Sequence, residues 1–159
     1  MVLVFQLRKQ NEQLAIQHID QLGNASNQFK SRFEDITKET VTNNDLAEIW
    51  IRGSKDWTNL KSDVERYRYR NHYRQYFNWF IDQIRLRNEG VIVVSDEVIK
   101  LQAMNMVHAK GLAHCYKNYS KKSLMQFPEI MKIWDDIYQE LYKEDISDFR
   151  PKSYGTTNF

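Results

Sequence analysis

The stretch from Ser62 to Asn88 constrains the chain most. Placed at about 100° per residue, as a 3.6-residue turn requires, Tyr69, Tyr73, Tyr76, Phe77, Phe80 and Ile84 share one broad face. Their spacing of four, three, one, three and four is the stripe of a core-facing helix. Trp79 and Leu86 fall on a second face beside Arg68. A helix with two apolar faces has neighbours on two sides, so this one is expected at the middle of a bundle. Ser62 or Asp63 is placed to cap its N-terminus, with Glu65 in the first turn at the positive end of the helix dipole. Gly90 is expected to end it.

The same helix carries arginines at 66, 68, 70, 74, 85 and 87. Arg66, Arg70 and Arg74 lie four apart on the flank of the aromatic stripe. Together with Tyr67 they form a candidate interaction surface. One reading is a cationic, aromatic surface for phosphate or single-stranded nucleic acid. The other pairs these arginines with carboxylates of neighbouring helices and stacks them on the tyrosines. Charge favours the second, since 23 Lys and Arg face 21 Asp and Glu, for a net +2. Arg66 and Arg70 are therefore expected to be structural. Removing Arg66 from a buried, paired position would cost about 1–3 kcal/mol.

A chain of 159 residues suffices for one domain with a real core. Apolar residues at 42%, aromatics at 13% and charged residues at 28% are a globular composition. Two prolines and five glycines point to long helices and few turns. The single cysteine, Cys115, cannot pair within the chain, which favours a reducing compartment. Its ordinary role is a small buried hydrophobe. His114 adjoins it, but successive helical residues point about 100° apart, so the two do not make a thiol–imidazole pair by spacing alone.

No segment reaches the roughly eighteen apolar residues of a membrane span. The N-terminus is nevertheless distinctive. Val2, Leu3, Val4, Phe5 and Leu7 are followed at once by Arg8 and Lys9. A signal peptide carries its charges before the apolar run. Two readings stand: the last turns of a membrane helix with basic residues at its cytoplasmic end, or an ordinary helix start packing on the bundle.

Residues 2 to about 39 read as one long helix, with a bend possible at Gly23 and Asn24. Leu22, Ala25, Phe29, Phe33 and Ile36 stripe its second half, while Gln6, Gln10, Asn11, Gln13 and Gln17 make its first half amide-rich. A short helix capped by Asn43 or Asn44 runs from Asp45 to Arg52 and is closed by Gly53. Val91 to Val94 reads as a buried loop, since no second strand exists to pair with it. Ser95 caps the next helix, whose face takes Val98, Leu101, Met104 or Ala103, and Val107 or His108. Gly111 interrupts it. Leu112 to Tyr119 is a further short helix, Lys121 and Lys122 sit in a turn, and Pro128 opens a last helix to about Lys143. The expected organisation is a helical stalk or membrane-helix remnant over residues 1–20, a bundle over 21–144 and a flexible tail over 145–159. The fold class is all-α, a single bundle of five or six helices with a long first helix and a central aromatic, arginine-rich one.

No motif names a reaction. His108 and His114 are six apart across a glycine, a poor match to metal-ligand spacing. Asp135 and Asp136 adjoin and diverge on a helix. The Glu-x-x-His signature of di-iron bundles, a glycine-rich phosphate loop and a nucleophile elbow are all missing. No catalytic residue, cofactor or metal is expected.

Several segments taken together are familiar: Gln6-Leu7-Arg8 after the apolar start, Asp45-Leu46-Ala47-Glu48-Ile49-Trp50 with Arg52-Gly53, Glu65-Arg66-Tyr67-Arg68-Tyr69, Tyr76-Phe77 with Phe80, and Phe127-Pro128-Glu129. Over roughly residues 3 to 142 the chain resembles a large, uncharacterised group of bacterial proteins with a short N-terminal membrane helix and a small all-helical cytoplasmic domain. It departs from that pattern at His114-Cys115-Tyr116, where a tryptophan is common. The resemblance implies architecture and a membrane link, and no chemistry. The expected function is a non-enzymatic helical interaction domain at the cytoplasmic face of a membrane. Its partner is an unidentified protein or a second copy bound through the N-terminal helix. The alternatives are a nucleic-acid-binding module on Arg66, Tyr67, Arg70 and Arg74, which the charge balance disfavours, and a small-ligand binder or enzyme with an aromatic-lined pocket near His72, Tyr76 or His114.

Overall fold

The computed structural model describes residues 2–150, with side chains from residue 10 onward. The chain is 82% helical and has no strand among the described residues, so the all-α bundle expected from the stripes is what forms. In order come α1 (Val2–Thr42), α2 (Asn44–Lys55), a 3-10 turn (Trp57–Asn59), α3 (Asp63–Asn88) and α4 (Asp96–Val107). Then α5 (Lys110–Cys115) passes through a π-helical turn (Tyr116–Ser120) into α6 (Lys121–Leu124), and α7 (Pro128–Tyr142) follows.

The central position of α3 follows from its stripe. Tyr69, Tyr73, Phe77, Phe80 and Ile84 are all buried. Phe77 and Phe80 meet Trp134 of α7 edge-on, with ring centroids 5.2 and 5.0 Å apart. The second face packs on α1, where Phe29 and Phe33 lie 4.8 and 4.6 Å from Trp79. The Trp79 indole N–H donates to the Phe29 carbonyl at 3.2 Å. Helix starts are set by side-chain caps. Ser62 accepts from the Glu65 amide, Asn43 from that of Leu46 and Ser95 from that of Val98. Gly90, at φ +72°, takes the left-handed turn that ends α3.

Several boundaries differ from expectation. α1 continues through Gly23 and reaches Thr42. α2 does not stop at Gly53 but runs on to Lys55, and Gly111 lies inside α5. These two glycines mark where α2 crosses α5: a methyl group on Gly111 would overlap the Gly53 carbonyl oxygen, and one on Gly53 would lie 2.7 Å from the Tyr69 ring. On α4 the buried residues are Ile99, Ala103 and Val107, so of the alternatives expected there Ala103 and Val107 face inward, while Val98, Leu101 and Met104 are exposed. Apolar and polar residues are interspersed round that helix, with Asp96, Glu97, Lys100, Gln102 and Asn105 among its twelve, so its periodicity left the inward face ambiguous. The Val91–Val94 loop is not buried throughout: Val93 is fully exposed.

The largest correction concerns Lys121. It is no turn residue but starts α6 and is 1% exposed. Its ammonium lies 2.8 Å from Asp135 Oδ2, and Tyr116 donates its hydroxyl to Asp135 Oδ1 at 2.7 Å. The i to i+5 bonding of the π turn brings residues five apart, Tyr116 and Lys121, round to one side. Lys121 also donates to the carbonyls of Ile146 and Ser147. Residues 145–150 are accordingly no loose tail: Ile146 is buried at 1%, since Lys121 ties down the backbone around it. Residues 151–159 lie outside the described ones.

Candidate functional site

The flank of α3 comes first. Arg66 pairs with Asp63 of its own first turn at 2.9 Å, with the two side chains 41% and 96% exposed. An exposed pair three residues apart is worth a few tenths of a kcal/mol. The buried, inter-helix pair expected for Arg66, and its cost of about 1–3 kcal/mol, are therefore replaced by a weak local one. Arg70 sits over two rings, 5.6 Å from the centre of Tyr67 and 5.1 Å from that of Tyr119. Tyr67 and Arg74 are exposed. Beside them Arg52 of α2 pairs with Glu65 at 2.8 Å. Carboxylates at 63 and 65 thus lie among the arginines at 52, 66 and 70.

For the N-terminal candidates, Val2, Leu3, Val4, Phe5, Leu7, Arg8 and Lys9, the backbone is part of α1, and their side chains lie outside the described ones. From Gln10 to Gln21 every residue of α1 is exposed. Leu14, Ile16 and Ile19 are 61, 60 and 66% exposed. The bundle covers α1 only from Leu22 on, where Phe29, Phe33 and Ile36 face α3. No helix among the described residues is long and apolar enough to cross a membrane.

A pocket of about 280 Å³ opens where five helices meet. Phe33 of α1, Trp50 of α2, and Tyr73, Tyr76 and Trp79 of α3 supply aromatic walls. Gln102, Asn105 and Met106 of α4 and Leu112 of α5 complete it. The walls hold one another. Trp50 packs on Tyr76 at 5.6 Å and on Tyr69 at 5.1 Å, and Phe33 packs on Trp79. Two of their polar ends are engaged: the Tyr73 hydroxyl donates to the Met106 carbonyl at 3.4 Å, and the Trp79 indole to the Phe29 carbonyl. Gln102 differs. Its Oε1 is buried and no protein group donates to it. A buried acceptor left so costs about 1–3 kcal/mol.

Behind this wall lies His72, 2% exposed. Its Nε2 hydrogen-bonds Thr40 Oγ1, while Nδ1 lies 3.8 Å from Glu39 Oε2 and has no hydrogen-bond partner. Burial pushes the imidazole below its usual range, and the Glu39 carboxylate offsets part of that. The contact ties α1 to α3. His114 also sits below its usual range through burial, stacked on Trp57 at 4.5 Å and 17°. Cys115 is fully buried, and burial pushes its thiol far above the usual range. A thiol so held is a core residue and not a nucleophile. Among the described residues no group of three or more His, Cys, Asp or Glu is placed to hold a metal.

Of the pocket residues, only Tyr76 was marked by the sequence as a candidate. The rest come from elements far apart in the chain, and Gln102 is one amide among many, with no pattern to distinguish it. Compared with known proteins, the chain matches no family model, no curated protein and no solved structure.

Proposed function

We propose that this chain is a non-enzymatic helical interaction domain that pairs with a second copy through the first half of α1 and works at the cytoplasmic face of a membrane. One observation carries the pairing. Twelve consecutive residues, Gln10 to Gln21, form helix with no part of the bundle against them, and Leu14, Ile16 and Ile19 stand more than half exposed there. An isolated helix of that length is marginal in water, and packing against another helix is what ordinarily stabilises it. Nucleic acid is the less favoured partner, because Arg66 and Arg70 are already held by Asp63 and by two tyrosine rings.

The membrane part rests on Val2 to Lys9, an apolar run closed by two cations, and on the resemblance to bacterial proteins with an N-terminal membrane helix. Interfacial binding of this kind combines apolar burial with attraction to anionic lipid. Sedimentation of the full chain over a concentration series tests the pairing. A monomer–dimer equilibrium is expected, and Leu14→Glu with Ile19→Glu should leave only monomer with an unchanged helical spectrum. A wild-type chain that stays monomeric at every concentration would refute it. Vesicles containing anionic lipid test the rest: the full chain should co-sediment with them, and a chain lacking residues 1–9 should stay in solution.

A further inference from the structure

We infer, resting on the pairing proposed above, that the two copies join antiparallel along the face of α1 that continues its bundle-facing stripe, so that the second copy's α1 takes the place α3 leaves where it ends. The contacts between α1 and α3 set the starting geometry. Thr40 meets His72, Phe33 meets Tyr76, and the Phe29 carbonyl accepts from the Trp79 indole, so α3 runs opposite to α1 along that stripe. Leu86 and Glu89, at the end of α3, share a cavity with Ala25 and Gln28. On the N-terminal side of Leu22, α1 goes on without α3, and every residue from Gln10 to Gln21 is exposed.

The stripe itself does not stop there. Asn11, Leu14 and His18 stand eleven residues before Leu22, Ala25 and Phe29. Eleven residues make three helical turns, so the two sets share a face. Ala15 lies on it as well, four residues after Asn11 and three before His18. Glu12 and Asp20, the only Asp, Glu, Lys or Arg of the stretch, fall off it. A second helix closing on this face therefore strands no fixed charge. Direction follows from where the bundle lies. From Leu22 onward α3 occupies that same face of α1. A partner helix laid parallel would bring its own bundle to the same end and the same side, where the first copy's bundle already stands. Turned round, the partner's α1 runs as α3 does, and its bundle lies at the far end. Each α1 then supplies to the other what α3 supplies further along, and both copies use the same patch, as a two-fold pair requires.

A nitroxide label on Lys30→Cys, an exposed position of α1, reads the direction by pulsed electron spin resonance on the full chain. Cys115 is fully buried, so the native protein takes the label at position 30 alone. With the pair centred on the middle of the Gln10–Gln21 stretch, an antiparallel dimer sets the two labels about 40 Å apart or more, at 1.5 Å per residue. A parallel, in-register dimer brings them within about 25 Å, the width of two helices side by side. Sedimentation of two further variants reads the face. Ala15→Glu should raise the dimer dissociation constant at least about tenfold, because it buries a charge in the seam. Gln13→Glu, on the opposite side of the helix, should change it by less than about twofold. Both positions are exposed in the single chain, so neither change disturbs the bundle. A chain that stays monomeric at every concentration overturns the antiparallel seam together with the pairing beneath it. A dimer whose labels lie closer than about 40 Å leaves the pairing standing and overturns its direction. One that responds to Gln13→Glu as much as to Ala15→Glu leaves the pairing standing and overturns its face.

Discussion

Gly111 decides how closely two helices approach. It is buried in α5, where a methyl group would overlap the Gly53 carbonyl oxygen of α2. The obstacle is backbone, which no rotamer change relieves, so the helices themselves would have to separate. Gly111→Ala is therefore expected to destabilise the fold by about 3 kcal/mol, the upper part of the range for overpacking, despite the better helix propensity of alanine. Urea unfolding followed by circular dichroism measures this, and a midpoint within error of wild type would show that the crossing is looser than described. From the sequence Gly111 reads only as a helix interruption, because spacing reports the absence of a side chain and not what lies opposite. Arg66 shows the converse. Its position on a core flank suggested a buried partner, and the partner is Asp63, one turn back in the same helix and almost fully exposed.

At the scale of elements, the turn from Tyr116 to Ser120 organises the C-terminal third. Its π-helical spacing sets Tyr116 and Lys121 on a common side, where both reach Asp135 of α7, and Lys121 holds the carbonyls of Ile146 and Ser147. Lys121 and Asp135 are 1% and 11% exposed at their side chains. Removing one member leaves the other buried without its counter-ion. Lys121→Met should cost about 3–5 kcal/mol, and Lys121→Met with Asp135→Leu should cost less than the single change. A double variant less stable than the single one would mean that the pair stabilises by more than mutual neutralisation. The sequence reading succeeded where the α period holds: α3 shows its core stripe, α1 its second half and α7 its Trp134 and Tyr138. It failed at Lys121, which a 3.6-residue period rotates about 140° away from Tyr116, and it only half resolved α4, where Ala103 and Val107 of the offered alternatives are buried but Val98 and Leu101 are exposed. The pocket was legible least of all. Local spacing could mark Tyr76, but nothing local brings Phe33, Trp50 and Gln102 to it, since that is settled by how five helices pack.

For the whole molecule, two histidines couple folding to pH. His72 lies between α1, α2 and α3, faced by Thr40 and Glu39, by Trp50 at 5.0 Å and by Tyr76 at 5.1 Å. His114 lies between Trp57 and Tyr119, with Asp56 and Lys117 the charges that act on it. Burial holds both below the usual imidazole range. The unfolded chain therefore binds protons more readily than the folded one, and stability falls as pH drops below the unfolded value of about 6.5. The loss continues until the depressed folded-state values are passed. The carboxylates whose affinity for protons is lowered, Glu65, Glu97 and Glu144 among them, act further down, as pH falls through values below 4.5. Between about pH 6.5 and 4.5 the slope thus belongs mainly to the histidines. Urea midpoints measured across that window should fall steadily with acid, and His72→Gln, which keeps a polar group against Thr40, should flatten the slope in part. Because His72 ties α1 to α3, the acid-weakened contact should be the one that holds the long helix. Hydrogen exchange near pH 5 should then show α1 around Thr40 losing protection before α7. Equal loss across all helices would mean that the proton uptake is spread through the bundle and that His72 does not govern the hold of α1.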